Sequence, residues 1–321
     1  MIDYRAKTAF AIGTGRCGTL FLYRLMDSES RVASSHERNP DNEAFHRYCK
    51  WNNLPVDDEG FLFAKEQEIQ SDLQELDFSF EASPYLSLSV RDLHERFGSK
   101  FILLIRRPDR VVSSFVHKGF YRLPYNVKNP ALAAGYQEQP RNPVHTFFAR
   151  ISPRGDDFTA WNEMTPVGKV AWFWKAYNQR TLELLEELPD NSYRLLQIED
   201  LDYANYIDLT NFLGISSTLT QTDFDSFRTS RPHAFWNKRN IDQWSSQEID
   251  EFEDQVKDLA LQFGYEYRVS ELLDGIRAER EEAERRLESL QPRKKKNLRF
   301  WRARCATSDW LRIFADKIDV R

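Results

Sequence analysis

The stretch Thr8–Met26, TAFAIGTGRCGTLFLYRLM, leaves this chain few choices of architecture. Thr8-Ala9-Phe10-Ala11-Ile12 is a short unbroken apolar run, the pattern of a strand buried on both faces. Gly13, Gly15 and Gly18 follow, with small or polar residues between them, and Thr19–Met26 then carries apolar residues at helical spacing. A strand that enters a helix through such a turn aims successive backbone N–H groups at one point. That point lies at the positive end of a helix dipole and binds anions, phosphate above all.

Further strands follow in register with helices. Arg31–Ser35 reads as a second strand, running through His36 and Glu37 into a loop marked by Asn39-Pro40. Phe78–Tyr85 alternates as a third strand and stops at Pro84, and Leu86–Phe97 reads as a helix ended by Gly98. Lys100–Ile105 is the clearest strand, and Pro108-Asp109 then suits the start of a helix over Val111–Lys118. Val167–Leu188 is an amphipathic helix, Tyr193–Ile198 a fifth strand, Ile207–Leu213 a short helix closed by Gly214, and Gln247–Phe263 a further helix. Residues 41–77 are polar with scattered aromatics and read as helical in part, whereas 119–165 hold five prolines and read as a long irregular insertion. This alternation predicts an α/β fold with a mostly parallel central sheet of five strands flanked by helices. In such folds ligands bind beyond the carboxyl ends of the strands, where the candidate segments lie.

Gly13 and Gly18 have the G-x-x-x-x-G spacing of a triphosphate-binding loop, but Thr19 stands where that loop carries Lys. The cation sits inside the turn instead, as Arg16, beside a first phosphate rather than over a third. The ligand this suits is an anhydride with a short anionic chain. Arg16-Cys17-Gly18-Thr19-Leu20 resembles the 5′-phosphosulfate loop of the sulfotransferase family, with Cys17 in the usual place of Ser. The resemblance implies 3′-phosphoadenylyl sulfate (PAPS) as sulfuryl donor, held by Gly15, Arg16, Cys17, Gly18, Thr19 and Leu20, with no metal needed.

A second match supports it. Arg106, Pro108 and Ser114 have the R-x-P-x-x-x-x-x-S spacing with which the family holds the donor's 3′-phosphate, with Arg107 and Ser113 as off-by-one alternatives. An arginine fork grips phosphate oxygens bidentately, and a hydroxyl adds a neutral donor. Glu199-Asp200-Leu201 with Phe212-Leu213-Gly214 resembles a structural segment of the family. Phe235 and Lys238, with Trp244, resemble its nucleotide-closing loop, although Asn237 and Arg239 depart from it. Glu81-Ala82-Ser83-Pro84-Tyr85 resembles a carbohydrate-sulfotransferase segment in which Lys stands where this chain has Ala82. The reaction this implies needs a base for the acceptor's proton, with Glu37 the first candidate and His36 the second. Residues 119–165 are the expected acceptor site, rich in Tyr, Phe and Arg suited to a carbohydrate, lipid or small-molecule acceptor.

Composition sets outer bounds. A net charge of −5 over 321 residues argues against a nucleic-acid partner, but residues 292–321 carry ten basic against three acidic side chains, leaving −12 on the remainder. The domains expected are 1–268, the sulfotransferase-like body, and 269–321, a helical and basic extension. Val269, Leu273, Ile276, Arg280, Ala283, Leu287 and Leu290 form a short heptad seam before that basic stretch, which suits self-association, a partner helix or a membrane surface. Three distant cysteines and the absence of an apolar leader predict a reducing, cytoplasmic setting with peripheral membrane contact through the tail. Two other functions fit parts of the pattern: a P-loop phosphotransferase, and a non-catalytic nucleotide-binding or interaction protein on the same fold.

Overall fold

One strand sets where everything else lies. In the computed structural model, which describes residues 4–121, 150–229 and 241–278, β1 (Thr8–Gly13) pairs with β3 (Phe78–Ala82) on one edge and with β4 (Lys100–Ile105) on the other. β2 (Val32–His36) lies outside β3 and β5 (Tyr193–Gln197) outside β4. The order is β2-β3-β1-β4-β5 and every pairing is parallel, as the sequence predicts. Every residue of β1 and β3 is buried, as are Phe101–Ile105 of β4, so β1 and β4 read as apolar runs, while β3 buries Ser79 and Glu81 among its apolar residues. Each such Ile or Leu contributes about 1.5–3 kcal/mol by leaving water. The edge strands β2 and β5 are only partly covered.

Helix limits follow local signals. α1 (Thr19–Asp27) buries Thr19, Leu22, Leu25 and Met26, a single stripe at three- and four-residue spacing. Near its end the buried Glu29 carboxylate accepts from Tyr206 Oη at 2.7 Å, Ser217 Oγ at 2.5 Å, and Thr218 N and Oγ1 at 2.6 and 2.8 Å, which ties α1 to the chain after α8 (Tyr203–Leu213). α4 (Val90–Phe97) ends at Gly98, α5 (Pro108–His117) starts on its proline, and α10 (Ser246–Gln262) opens with a Ser245/Glu248 capping box. α7 (Pro166–Glu186) is capped by Thr165, whose hydroxyl accepts from Gly168 N.

The structure departs from the sequence reading in places. The helix expected over 86–97 is split: Ser83 accepts from Tyr85 N, a 3₁₀ turn runs over Pro84–Leu88, and α4 follows. Residues 41–77 form two full helices, α2 (Pro40–Asn52) and α3 (Asp58–Glu75). Both bury charged side chains, Glu43, Arg47 and Lys65 among them, so no apolar periodicity announces them. α6 (Asp157–Glu163) occupies part of the segment read as irregular, and α9 (Gln221–Thr229) was not anticipated. The chain divides into Met1–Val269 and Ser270–Arg321. The basic tail, and the heptad seam from Arg280 on, lie outside the described residues. Among the described residues no helix is long and apolar enough to cross a membrane.

Candidate functional site

Strand register brings the candidate segments to one edge. Gly13 is level with Leu104, His36 with Ala82, and Ile105 with Gln197. The glycine turn, Arg106, Glu37 and Ile198 therefore all leave the carboxyl end of the sheet. The turn needs its glycines: φ is +149° at Gly13 and +110° at Gly18. A Cβ on Gly13 would lie 2.5 Å from the Leu104 carbonyl oxygen, and one on Gly18 2.6 Å from Ile198 Cγ1. Gly18 starts α1 with no side-chain cap, which leaves the helix entrance to backbone N–H groups, those of Thr19 and Leu20 included. Cys17, between Gly13 and Gly18, is fully buried and belongs to the same core cluster as Leu22, Ala82 and Leu104.

The two candidate anion-binding segments meet directly. Arg16 Nε donates to Ser114 Oγ at 2.8 Å, and Arg106 Nη1 donates to the Arg16 carbonyl oxygen at 2.9 Å. Arg16 itself takes a left-handed φ of +58°, a conformation that costs a non-glycine residue energy and recurs at functional sites. Trp174 Nε1 donates to the Arg106 carbonyl at 3.1 Å and so fixes the turn from α7. Arg107 faces elsewhere, with Nε and Nη2 on the two carboxylate oxygens of Asp109 at 3.0 and 3.1 Å. Glu199 completes the turn by accepting from Arg107 N at 3.1 Å and from Tyr265 Oη at 2.9 Å. Burial, then the charge of Arg106, pulls the Arg16 guanidinium down, against Cys17 and Glu37. Burial does the same to Arg106. Two crowded, partly dry cations are an arrangement that a bound anion relieves.

Glu37 and His36 part at the end of β2. His36 Nε2 lies 3.2 Å from Thr19 Oγ1 and its ring beside Tyr23, so it belongs to the start of α1. Glu37 turns away with φ +49°, its N–H donating to the Ala82 carbonyl at 3.1 Å. Burial, then the charge of Glu43, pushes its carboxyl above the usual carboxylate range, while Lys118, Arg47 and Arg16 oppose. Glu37 thus shares a charged neighbourhood with Arg16, whereas His36 meets Thr19 at the end of the glycine turn.

Two of these neighbours escaped the sequence reading. Lys118, the residue that caps α5, follows Ser114 by four and donates its N–H to the Ser114 carbonyl at 3.3 Å, and its charge acts on both Arg16 and Glu37. Arg47 is buried on α2, its guanidinium 4.8 Å from the Tyr85 ring centroid and 5.4 Å from that of Tyr177. Nothing in its local sequence distinguishes it from a surface arginine. Tyr121 is fully buried and donates to the Ile151 carbonyl at 2.5 Å, which makes it part of the packing rather than of an open acceptor surface. Phe235, Lys238 and residues 122–149 of the expected acceptor segment lie outside the described residues.

No protein-family model matches the sequence, and no curated protein does so either. Solved structures do match. Sulfotransferase STF9 from Mycobacterium avium superposes with a TM-score of 0.51 at 11% identity, over 82% of this chain and 78% of that one. The sulfotransferase domain of the Synechococcus PCC 7002 olefin synthase gives 0.45 at 15% identity over 81% and 94% of the two chains. The sulfotransferase domain of the curacin biosynthetic pathway gives 0.45 at 16% identity over 80% and 97%. The five-stranded parallel sheet, the glycine turn after its central strand and an architecture shared with STF9 over four fifths of its length give this chain the sulfotransferase fold.

Proposed function

We propose that this protein transfers a sulfuryl group from PAPS to a hydroxyl or amine of a carbohydrate, lipid or small-molecule acceptor. The observation that carries the reading is the link from Arg16 through Ser114 and Arg106, which joins the glycine turn to the strand-end turn after β4. A triphosphate loop has no need of that second cationic turn. A donor with phosphate on both its 5′ and 3′ sides does.

The residues present fit such a donor. The turn's glycines, at backbone angles closed to other residues, let backbone N–H groups approach closely, and Arg16, Arg106 and Ser114 supply charge and a hydroxyl on the adjoining side. Bound there, PAPS supplies an activated sulfuryl group, whose bond to the bridging oxygen breaks as the bond to the acceptor forms. Transfer of this kind has a loose transition state, so catalysis is mostly positioning and electrostatics. Arg16 neutralises charge gathering on the departing oxygen. Glu37 takes the acceptor's proton, and its raised carboxyl is suited to that role near neutral pH. Phe235 and Lys238 close over the adenine end in this reading, the setting is cytoplasmic, and residues 119–165 and the basic tail supply acceptor and surface contacts.

Adenosine 3′,5′-bisphosphate, the product, should raise the melting temperature of the protein, and labelled sulfate should pass from PAPS into a member of an acceptor panel. Tight ATP·Mg²⁺ binding without affinity for the bisphosphate indicates a phosphotransferase instead. Bisphosphate binding with no transfer across a broad panel indicates a non-catalytic protein.

A further inference from the structure

The most heavily ionised part of the interior lies under the turn that carries Glu37. Glu43 on α2 is 1% exposed, Lys65 on α3 2% and Glu81 on β3 4%. Lys65 Nζ donates to Glu43 Oε1 at 2.5 Å, to Glu81 Oε2 at 2.8 Å and to Glu68 Oε2 at 2.9 Å. Ser83 Oγ donates to Glu43 Oε2 at 2.6 Å. The charge balance calls for a proton on one of these carboxyls. Three ionised carboxylates around one ammonium would leave a largely buried net charge of −2, and holding one proton halves it. Burial pushes the Glu81 carboxyl up to about 8, with Glu43 adding and Lys65 opposing. Burial also pushes Glu43 up, but Lys65, Glu81 and Ser83 outweigh it and hold Glu43 below its usual range.

What the cluster grips is backbone. Arg38 N–H donates to Glu81 Oε1 at 3.0 Å and Asn39 N–H to Glu43 Oε1 at 3.2 Å. With the bond from Glu37 N–H to the Ala82 carbonyl, three successive amides are fixed. The Arg38 guanidinium is held as well, on both oxygens of Asp72 at 3.0 and 2.8 Å, and Asp72 takes a further bond from Ser79 Oγ. A left-handed glutamate persists only where its surroundings over-determine it, and these bonds do so for Glu37.

We infer that Glu43 and Glu81, sharing one buried proton beside Lys65, are positioning residues that hold the 37–39 turn in the conformation presenting the Glu37 carboxylate to Arg16. The catalytic consequence rests on the sulfotransferase reading above, whereas the proton-sharing device is a property of the fold and can be measured without turnover. The charged groups facing Glu81 are Glu43 from α2, Lys65 and Glu68 from α3, and Arg38, with its partner Asp72, from the turn side. Loss of the proton sets a second buried negative charge against Glu43. The repelled carboxylates separate, the oxygen that holds Asn39 N–H moves with Glu43, and the turn loosens as pH rises.

The test uses the full chain labelled with ¹³C at the glutamate carboxyls and ¹⁵N at the amides. One carboxyl signal should titrate near pH 8 and be missing from Glu81→Gln, and the Glu37, Arg38 and Asn39 amide signals of the wild type should shift with the same midpoint. In Glu81→Gln the side-chain amide stands in for the protonated carboxyl, so those three signals should stay fixed from pH 6.5 to 9. With an acceptor in hand, the alkaline fall in wild-type kcat should vanish in Glu81→Gln. Glu81→Ala should lower kcat at least tenfold with bisphosphate affinity within threefold. The inference is overturned if no glutamate titrates above pH 7, or if the turn amides ignore the one that does. Should Glu81→Gln fail to fold, the wild-type amide titration decides alone. A positive titration without sulfate transfer leaves the device standing and removes the sulfotransferase reading.

Discussion

Gly18→Ala is the sharpest probe of the turn, because its cost separates into two parts that can be measured apart. At φ +110° an alanine is strained whatever the space, by about 1–3 kcal/mol. Its Cβ would also lie 2.6 and 2.7 Å from Ile198 Cγ1 and Cδ1, with Cβ of that isoleucine at 3.4 Å. Forcing that side chain aside costs about 1–3 kcal/mol more. The sum, roughly 2–6 kcal/mol, is a large share of the stability of about 5–15 kcal/mol usual for a domain. Ile198→Ala removes the two close atoms and leaves the one at ordinary contact distance. In a urea-unfolding cycle of wild type, both single variants and the double variant, the overlap part should return as a favourable coupling of about 1–3 kcal/mol, while the strain remains. A coupling below about 0.5 kcal/mol, or a Gly18→Ala protein as stable as wild type, refutes the account of this turn.

Three further outcomes are expected. Ser114→Ala removes a charge-assisted bond from Arg16 worth about 1.5–3 kcal/mol and should weaken adenosine 3′,5′-bisphosphate binding about 10- to 150-fold by calorimetry; a change below threefold excludes Ser114 from the donor site. Glu37→Gln should lower kcat by about 10²–10⁴ with bisphosphate affinity unchanged. Because burial raises this carboxyl and only the ionised form accepts a proton, wild-type activity should fall, as pH drops, at a pH above the ordinary glutamate range, and a fall only at that ordinary range contradicts the placement. Lys65→Met should destabilise by about 3–5 kcal/mol at pH 8, measured by urea unfolding, since it strands buried carboxylates. Lys65, raised by Glu81 and Glu43 despite its burial, stays charged from pH 5 to 9, so its stabilisation persists throughout and the pH dependence of the loss comes from the carboxylates. The loss should shrink towards pH 5 as Glu81 takes up its proton, and a loss independent of pH argues against the shared proton.

The sequence by itself determined the sheet and the anion turn. The runs Thr8–Ile12 and Lys100–Ile105 are legible because strands buried on both faces are mostly apolar. Gly13 and Gly18 are legible because their backbone conformations exclude side chains. Arg106 and Ser114 could be paired with each other, since a strand end and the helix after it are near in sequence as well as in space, and only the resemblance to a known family tied them to Arg16. Tertiary structure alone decided the rest. It buried Cys17 in the core, set His36 against Thr19, and brought the charges of Arg47 and Lys118 to bear on Glu37. It also hid α2 and α3 from sequence reading, because the charges these helices bury are neutralised by partners on other elements: Glu43 by Lys65, and Lys65 by Glu81 across to β3. A buried charge looks like a surface charge in sequence, and only the fold supplies the countercharge that makes its burial affordable.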